Sequence, residues 1–129
     1  MCIRDRVVDG REYWFGANAG PAHRRAPIAH LLPNFDEYTV GYRDRSALMP
    51  AARRFDPSLF SFGSILSNVV TVDGVVRGAW RRSSARSSMH IEVRLSEPLT
   101  EHETAAVTDA GRKMSGFLGR PVELVLTHR

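Results

Sequence analysis

The chain has 129 residues, the length of one ordinary domain, and its 43% of hydrophobic residues can form a core. The sequence contains no run of 18 apolar residues, which argues against a membrane span, and no charged segment leads into an apolar stretch as in a signal peptide. The single cysteine, Cys2, has no partner within the chain, so we expect a cytoplasmic protein.

The positive charge of the chain is concentrated in one stretch. The net charge is 18 − 14 = +4, and residues 77–94 carry five arginines and one acid, Glu92, a net of 5 − 1 = +4. The arginines are Arg77, Arg81, Arg82, Arg86 and Arg94. The remaining residues balance at 13 − 13 = 0. Charge concentrated in this way favours a polyanionic partner over a uniformly basic surface.

The N-terminal part predicts a hairpin and then a linker. Residues 1–6 are similar to translated sequencing-adapter sequence, so we expect them to be non-native and to add no structure. Residues 7–15 predict a β-hairpin with Asp9-Gly10 as its turn. The Gly-, Pro- and Ala-containing segment 16–29 shows no periodicity, which is typical of a linker.

The middle of the chain predicts short elements and then an antiparallel meander. Leu31 and Leu32 end a strand that Pro33 stops, and 46–54 can form a short helix limited by Pro50. Over 68–95 we predict three strands: a β-branched run that ends at Val72, a second strand over 75–82, and an alternating strand over 89–95. Asp73-Gly74 forms the turn between the first two.

The C-terminal part predicts one long helix and a last strand. Thr100 and Glu103 have the spacing of a capping box, and apolar residues follow at helical spacing up to Leu118. Gly119 and Pro121 end the helix, and 122–127 alternate as a strand. We therefore expect an α+β fold dominated by β structure, a small antiparallel sheet or open barrel covered by one main helix over about 101–118.

The basic stretch falls on the second hairpin of the predicted meander. Alternation along its first strand predicts that Val76 and Trp80 pack on the helix and that Arg77 and Arg81 face water. Arg82 and Arg86 then flank a serine-rich tip, and Arg94 comes from the returning strand. Arginines placed like this suit phosphate or minor-groove contacts, although a solvated hairpin in an arginine-rich chain is the alternative. For Trp80 we favour a core anchor over an intercalating wedge.

No catalytic or metal-binding constellation is found. His102-Glu103 begins like a metalloprotease helix, but position 106 is Ala instead of the second His. The other histidines lack metal-ligand spacing, and neither a Gly-x-Ser-x-Gly elbow nor a glycine-rich phosphate loop occurs. We therefore predict no catalytic residue, no metal and no organic cofactor.

An unusual segment of aromatic and charged residues follows the first predicted strand. Its members are Phe35, Asp36, Glu37, Tyr38, Tyr42, Arg43, Asp44 and Arg45. Adjacent Asp36 and Glu37 on an extended chain point to opposite faces, so an acid/base pair is disfavoured. We expect one of them to form an ion pair with Arg43 or Arg45.

This segment resembles the one that follows the last winged helix in the AlkZ-like winged-helix proteins. That bacterial family includes DNA glycosylases acting on alkylated and crosslinked bases. Further similar stretches occur in the same order over 65–68, 72–76, 78–82 and 117–124. The resemblance implies that 1–15 is the remnant of a winged helix and that 30–129 is the β-rich C-terminal domain.

The resemblance also implies which partners this chain has and which part of the intact protein carries out catalysis. The expected partners are double-stranded DNA, contacted by the basic hairpin, and a missing N-terminal winged-helix region, with no membrane and a monomeric chain. The alternative is a structural module that packs on the winged helices without touching DNA. Glycosylases of this family resemble one another in a Gln-x-Gln catalytic motif, and this chain contains no glutamine. It is therefore not expected to be active alone, whether or not the intact parent is a glycosylase.

Overall fold

The computed structural model describes residues 3–8, 10–16, 26–41, 43, 45–49, 68–84 and 87–128. Its strands are β1 (Ile3–Val8), β2 (Arg11–Gly16), β3 (Ala29–Leu32), β4 (Val69–Val72), β5 (Val75–Ser84), β6 (Met89–Leu95) and β7 (Val122–His128). The helices are α1 (Glu37–Val40), a 3₁₀ helix (Ser46–Leu48) and α2 (Glu101–Leu118). Tyr42, Asp44, Arg86 and most of the predicted 46–54 helix lie outside the described residues.

The first two strands form an antiparallel hairpin of their own. Gly10, with φ 76°, lies between them, as the Asp9-Gly10 prediction requires. Strand β1 begins at Ile3 and pairs with β2 along its whole length. The expectation that residues 1–6 add no structure is therefore wrong for 3–6, which form two thirds of β1.

The other five strands form one open sheet in the order β3-β4-β5-β6-β7. The first four are antiparallel to their neighbours, and β7 runs parallel to β6. A parallel neighbour needs a crossover connection, and α2 provides it. The predicted α+β, β-dominant class is confirmed. The sheet is mixed, however, and the described strands do not close into a barrel.

Helix α2 covers one face of the sheet. Val107 of α2 packs with the buried side chains of β4 and β6, and Trp80 of β5 is only 5% exposed. The Trp80 Nε1 donates a hydrogen bond to the Leu32 carbonyl oxygen at 2.9 Å. Trp80 is therefore a core anchor with its polar atom satisfied, as the sequence indicates.

A β-bulge in β5 changes which side chains share a face. Val70 pairs with Gly78, but Thr71 pairs with Val76, so Arg77 has no partner on β4. Val76 consequently packs with Leu48 and Val69, in a small cluster separate from that of Trp80. The prediction that Val76 joins Trp80 against the helix is wrong, because the extra residue interrupts the alternation.

Local signals fix the ends of the turn and the long helix. Asp73 and Gly74 both have positive φ, 49° and 83°, as a two-residue hairpin turn requires. At α2 the Thr100 amide donates to Glu103 Oε2 at 2.8 Å, and the Glu103 amide donates to Thr100 Oγ1 at 3.3 Å. This reciprocal capping box starts the helix at the predicted position, and Gly119 with φ 64° ends it.

Candidate nucleic-acid interface

Strand β5 is longer than its neighbour β4, so its end forms an arm with β6. The Trp80 amide donates to the Asn68 carbonyl at 3.0 Å, and among the described strands Arg81 to Ser84 then pair with β6 alone. We call residues 81–84 and 89–92 the hairpin arm. Its β6 side continues into β7, while its β5 side pairs with no other strand of the described residues.

The arm presents a polar face on the side of the sheet opposite α2. Ile91 and Val93 point into the core under α2, so the alternating His90, Glu92 and Arg94 point away from it. The strand register places further residues beside them. We call the whole set the open face: Arg81, Ser83, His90, Glu92, Arg94, Glu123 and Val125.

Most charges on the open face are paired. Arg81 donates from Nε to Glu92 Oε2 at 2.6 Å, and its Nη2 lies 2.5 Å from the same oxygen. Arg94 Nη2 lies 3.9 Å from Glu92 Oε1. His90 Nδ1 lies 2.8 Å from Glu123 Oε2. The two arginines and the two glutamates of this face balance in formal charge, although the sequence shows a strongly basic stretch.

Arg77 does not belong to the open face. Its Nη2 lies 3.5 Å from Glu103 Oε1, its side chain is 21% exposed, and its Nε is buried without a hydrogen-bond partner. The expectation that Arg77 faces water is wrong, because the bulge turns it toward the start of α2. The Thr100 amide and, to a lesser extent, the Arg77 charge hold the pKa of Glu103 below its usual value.

Arg82 is the most available cation of the arm. It is exposed, and no ion pair links it to another described residue. Beside it lies a groove of about 340 Å³, whose lining includes Arg81, Ser83, His90 and Glu92. The structure thus brings Arg81, Arg82 and Arg94 to the arm and its base, and leaves Arg77 with α2.

The 35–45 segment is held by capping and not by the expected ion pair. Asp36 Oδ1 accepts a hydrogen bond from the Tyr38 amide at 2.9 Å, at the start of α1. The Tyr38 hydroxyl donates to the Gly74 carbonyl at 2.9 Å, which ties α1 to the β4–β5 turn. Within the described part of the chain, neither Asp36 nor Glu37 forms an ion pair with Arg43 or Arg45. Phe35 is 64% exposed.

Comparison with known proteins places this chain in a family. The profile described as DNA glycosylase AlkZ-like matches residues 3–117. The chain belongs to the AlkZ-like DNA glycosylase family. This membership confirms the resemblance seen in the sequence.

A solved structure of the same family shares the fold. The Streptomyces sahachiroi DNA glycosylase AlkZ matches with a TM-score of 0.51 and 22% sequence identity, over 95% of this chain and 33% of that one. This AlkZ-like chain thus spans about a third of the length of that glycosylase. Comparison with curated proteins gives no match.

Sequence reasoning did not single out the acids and the histidine on the open face of this AlkZ-like chain. Glu92 alternates with Ile91 and Val93, which does predict that it lies on the open face, but its contact with Arg81 depends on strand register. No group of three or more potential metal ligands occurs among the described residues. None of the helices in the described ranges has the length and apolar character that crossing a membrane requires.

Proposed function

We propose that this AlkZ-like chain binds double-stranded DNA through the hairpin arm and the adjoining open face. Family membership supports DNA as the partner, and the exposed Arg82 on the hairpin arm carries the proposal. Arg81 adds a cation that can exchange its carboxylate for a phosphate, and in the sequence Arg86 comes between β5 and β6. In this proposal β1 and β2 are the wing of a winged helix, and 30–129 is the DNA-contacting module.

The proposal assigns binding to this chain and leaves base excision out. The catalytic Gln-x-Gln motif implied by the family resemblance requires two glutamines, and the chain contains none. Arg77 is also left out of the contact set, because it packs against Glu103. The phosphate contacts proposed are therefore Arg81, Arg82 and Arg86, while Arg94 lies at the base of the arm as the second partner of Glu92.

A structural module that packs on winged helices and does not touch DNA is the second candidate. The pairing of Arg81 with Glu92 favours it, because this contact already gives the Arg81 guanidinium a carboxylate partner. The two candidates differ in salt dependence, since only phosphate contacts release counterions from DNA.

The salt dependence of DNA binding tests the proposal. With two or three arginines on phosphates, the slope of log affinity against log salt should lie near −2 to −3. Fluorescence anisotropy with a labelled duplex, repeated at several salt concentrations, measures that slope. Failure to bind at low salt, or an affinity that does not respond to salt, would reject DNA binding and favour the structural module.

A further inference from the structure

The groove on the open face is lined by hydrogen-bond donors that suit a phosphate, but the strongest donor, the Arg81 guanidinium, is bound to the Glu92 carboxylate. Cross-strand pairing sets Arg81 beside Glu92 and Ser83 beside His90, so the four side chains form a square at the groove of about 340 Å³. Arg81 directs both Nε and Nη2 to a single oxygen, Glu92 Oε2. The guanidinium is therefore engaged in the way in which a phosphate oxygen would engage it.

We infer that one DNA phosphate binds in this groove between Arg81, Ser83 and His90, and that it displaces Glu92 from Arg81. The inference rests on the proposed function and deepens it, because it names one phosphate subsite and the residue that controls it. A phosphodiester has two unesterified oxygens. One can accept from the Arg81 guanidinium, and the other from the Ser83 hydroxyl, which lies beside His90 across the strand pair.

The structure provides a place for the displaced carboxylate. Arg94 Nη2 lies 3.9 Å from Glu92 Oε1, so Glu92 can close onto Arg94 when it leaves Arg81. The Glu92 side chain is 28% exposed and the Arg81 side chain 60% exposed, so the exchange does not require the core to open. Glu92 thus competes with the phosphate for Arg81, and its negative charge lowers the affinity of the open face for DNA.

The Glu92→Gln variant tests the competition. Glutamine keeps the shape and can still accept a hydrogen bond from Arg81, but it carries no charge. We expect duplex affinity to rise roughly three- to tenfold, with a salt slope within about half a unit of the unaltered chain, because the Arg81–phosphate contact forms in both proteins.

Asp109→Asn is the matched control. Asp109 also lies between two cations, 3.0 Å from Arg112 Nη1 and 3.0 Å from Lys113 Nζ, but it is on α2, which covers the opposite face of the sheet. The Asp109→Asn variant removes the same charge and should change the affinity for duplex DNA less than about twofold. Equal gains in the two variants would show an effect of net charge and overturn the inference, while DNA binding itself would stand. An unchanged Glu92→Gln affinity would overturn it as well.

A second measurement uses the unaltered protein. Inorganic phosphate, titrated while nitrogen–proton NMR spectra are recorded, should shift the Arg81 Nε–H signal and the Ser83 amide and leave the Arg112 side chain unchanged. Equal shifts at Arg81 and Arg112 would reject the site. If the unaltered chain does not bind duplex DNA at low salt, the proposed function fails and the inference fails with it. Binding together with a silent Arg81 signal rejects the inference alone.

Discussion

Gly78 is the residue of β5 that lies directly against the backbone of β6. A Cβ atom at this position would come within 2.1 Å of the Arg94 carbonyl oxygen and 3.0 Å of the Leu95 Cα. These neighbours are main-chain atoms of a paired strand, so they cannot rotate aside as a flexible side chain can. A side chain at position 78 must therefore push apart the two strands that form the arm.

The Gly78→Ala variant should be strongly destabilised. We expect a loss of about 2–4 kcal/mol in the free energy of unfolding, because the methyl group overpacks a buried site. Urea unfolding followed by circular dichroism measures it. Gly116→Ala is the control, since its Cβ would meet nothing within 4 Å and the site is an exposed helix position. Alanine there should stabilise by up to about 1 kcal/mol. Similar effects in both variants would contradict the close packing at Gly78.

The start of α2 links a helix cap to the bulged strand. Glu103 accepts hydrogen bonds from the Thr100 amide and hydroxyl, and it also lies beside Arg77. Its pKa is lowered from 4.5, chiefly by the bond from the Thr100 amide. A carboxylate with a lowered folded-state pKa stabilises the fold above its unfolded pKa, and this contribution is lost as the pH falls through the folded value.

The Glu103→Gln variant should therefore be less stable at neutral pH and nearly equal to the unaltered chain in acid. We expect a difference of about 0.5–1 kcal/mol at pH 7 that begins to shrink below about 4.5, the ordinary value, and is lost as the pH falls through the lowered pKa of Glu103 in the fold. Urea unfolding at several pH values measures the difference. Glu101→Gln, in the same helical turn but outside the capping box, should show a smaller one. A constant difference down to pH 3 would exclude the charge of Glu103 as its cause.

Local chemistry explains which elements the sequence predicts. The capping box at Thr100 and the left-handed Gly119 define α2 without reference to the rest of the molecule, and alternation alone defines β6. The bulge at Arg77 cannot be predicted in this way, because it depends on how β5 aligns with β4 across the sheet. The same holds for the Arg81–Glu92 pair, which lies across two strands, and for the parallel pairing of β7. The sequence predicts an ion pair from Asp36 or Glu37 to Arg43 or Arg45, but the Asp36 side chain caps α1.

At the scale of the whole molecule, charge in the sequence differs from charge on the surface. The stretch 77–94 carries the entire net charge of the chain, but the fold turns Arg77 toward α2 and sets Glu92 between Arg81 and Arg94. Lys113 and Arg112 on α2 are likewise paired, with Asp109. If net charge alone attracts DNA, the location of a lost arginine does not matter. If the hairpin arm attracts DNA, the loss of an arginine from the arm should lower the affinity more than the loss of one elsewhere.

Two double variants that each remove two positive charges separate these cases. Arg81→Ser with Arg82→Ser alters the hairpin arm, and Arg112→Ser with Arg120→Ser alters the end of α2 and the turn after it. The arm variant should lose affinity at every duplex sequence tested, and its salt slope should fall by about one to two units, because each lost phosphate contact lowers the slope by about one. The α2 variant should keep a slope within about half a unit of the unaltered chain.

Both variants should have a free energy of unfolding within about 0.5 kcal/mol of that of the unaltered chain, since exposed arginines contribute little to stability. Fluorescence anisotropy across a salt series and thermal unfolding provide the measurements. Equal losses of affinity per charge removed would show that net charge explains the binding and that the hairpin arm has no special part in it.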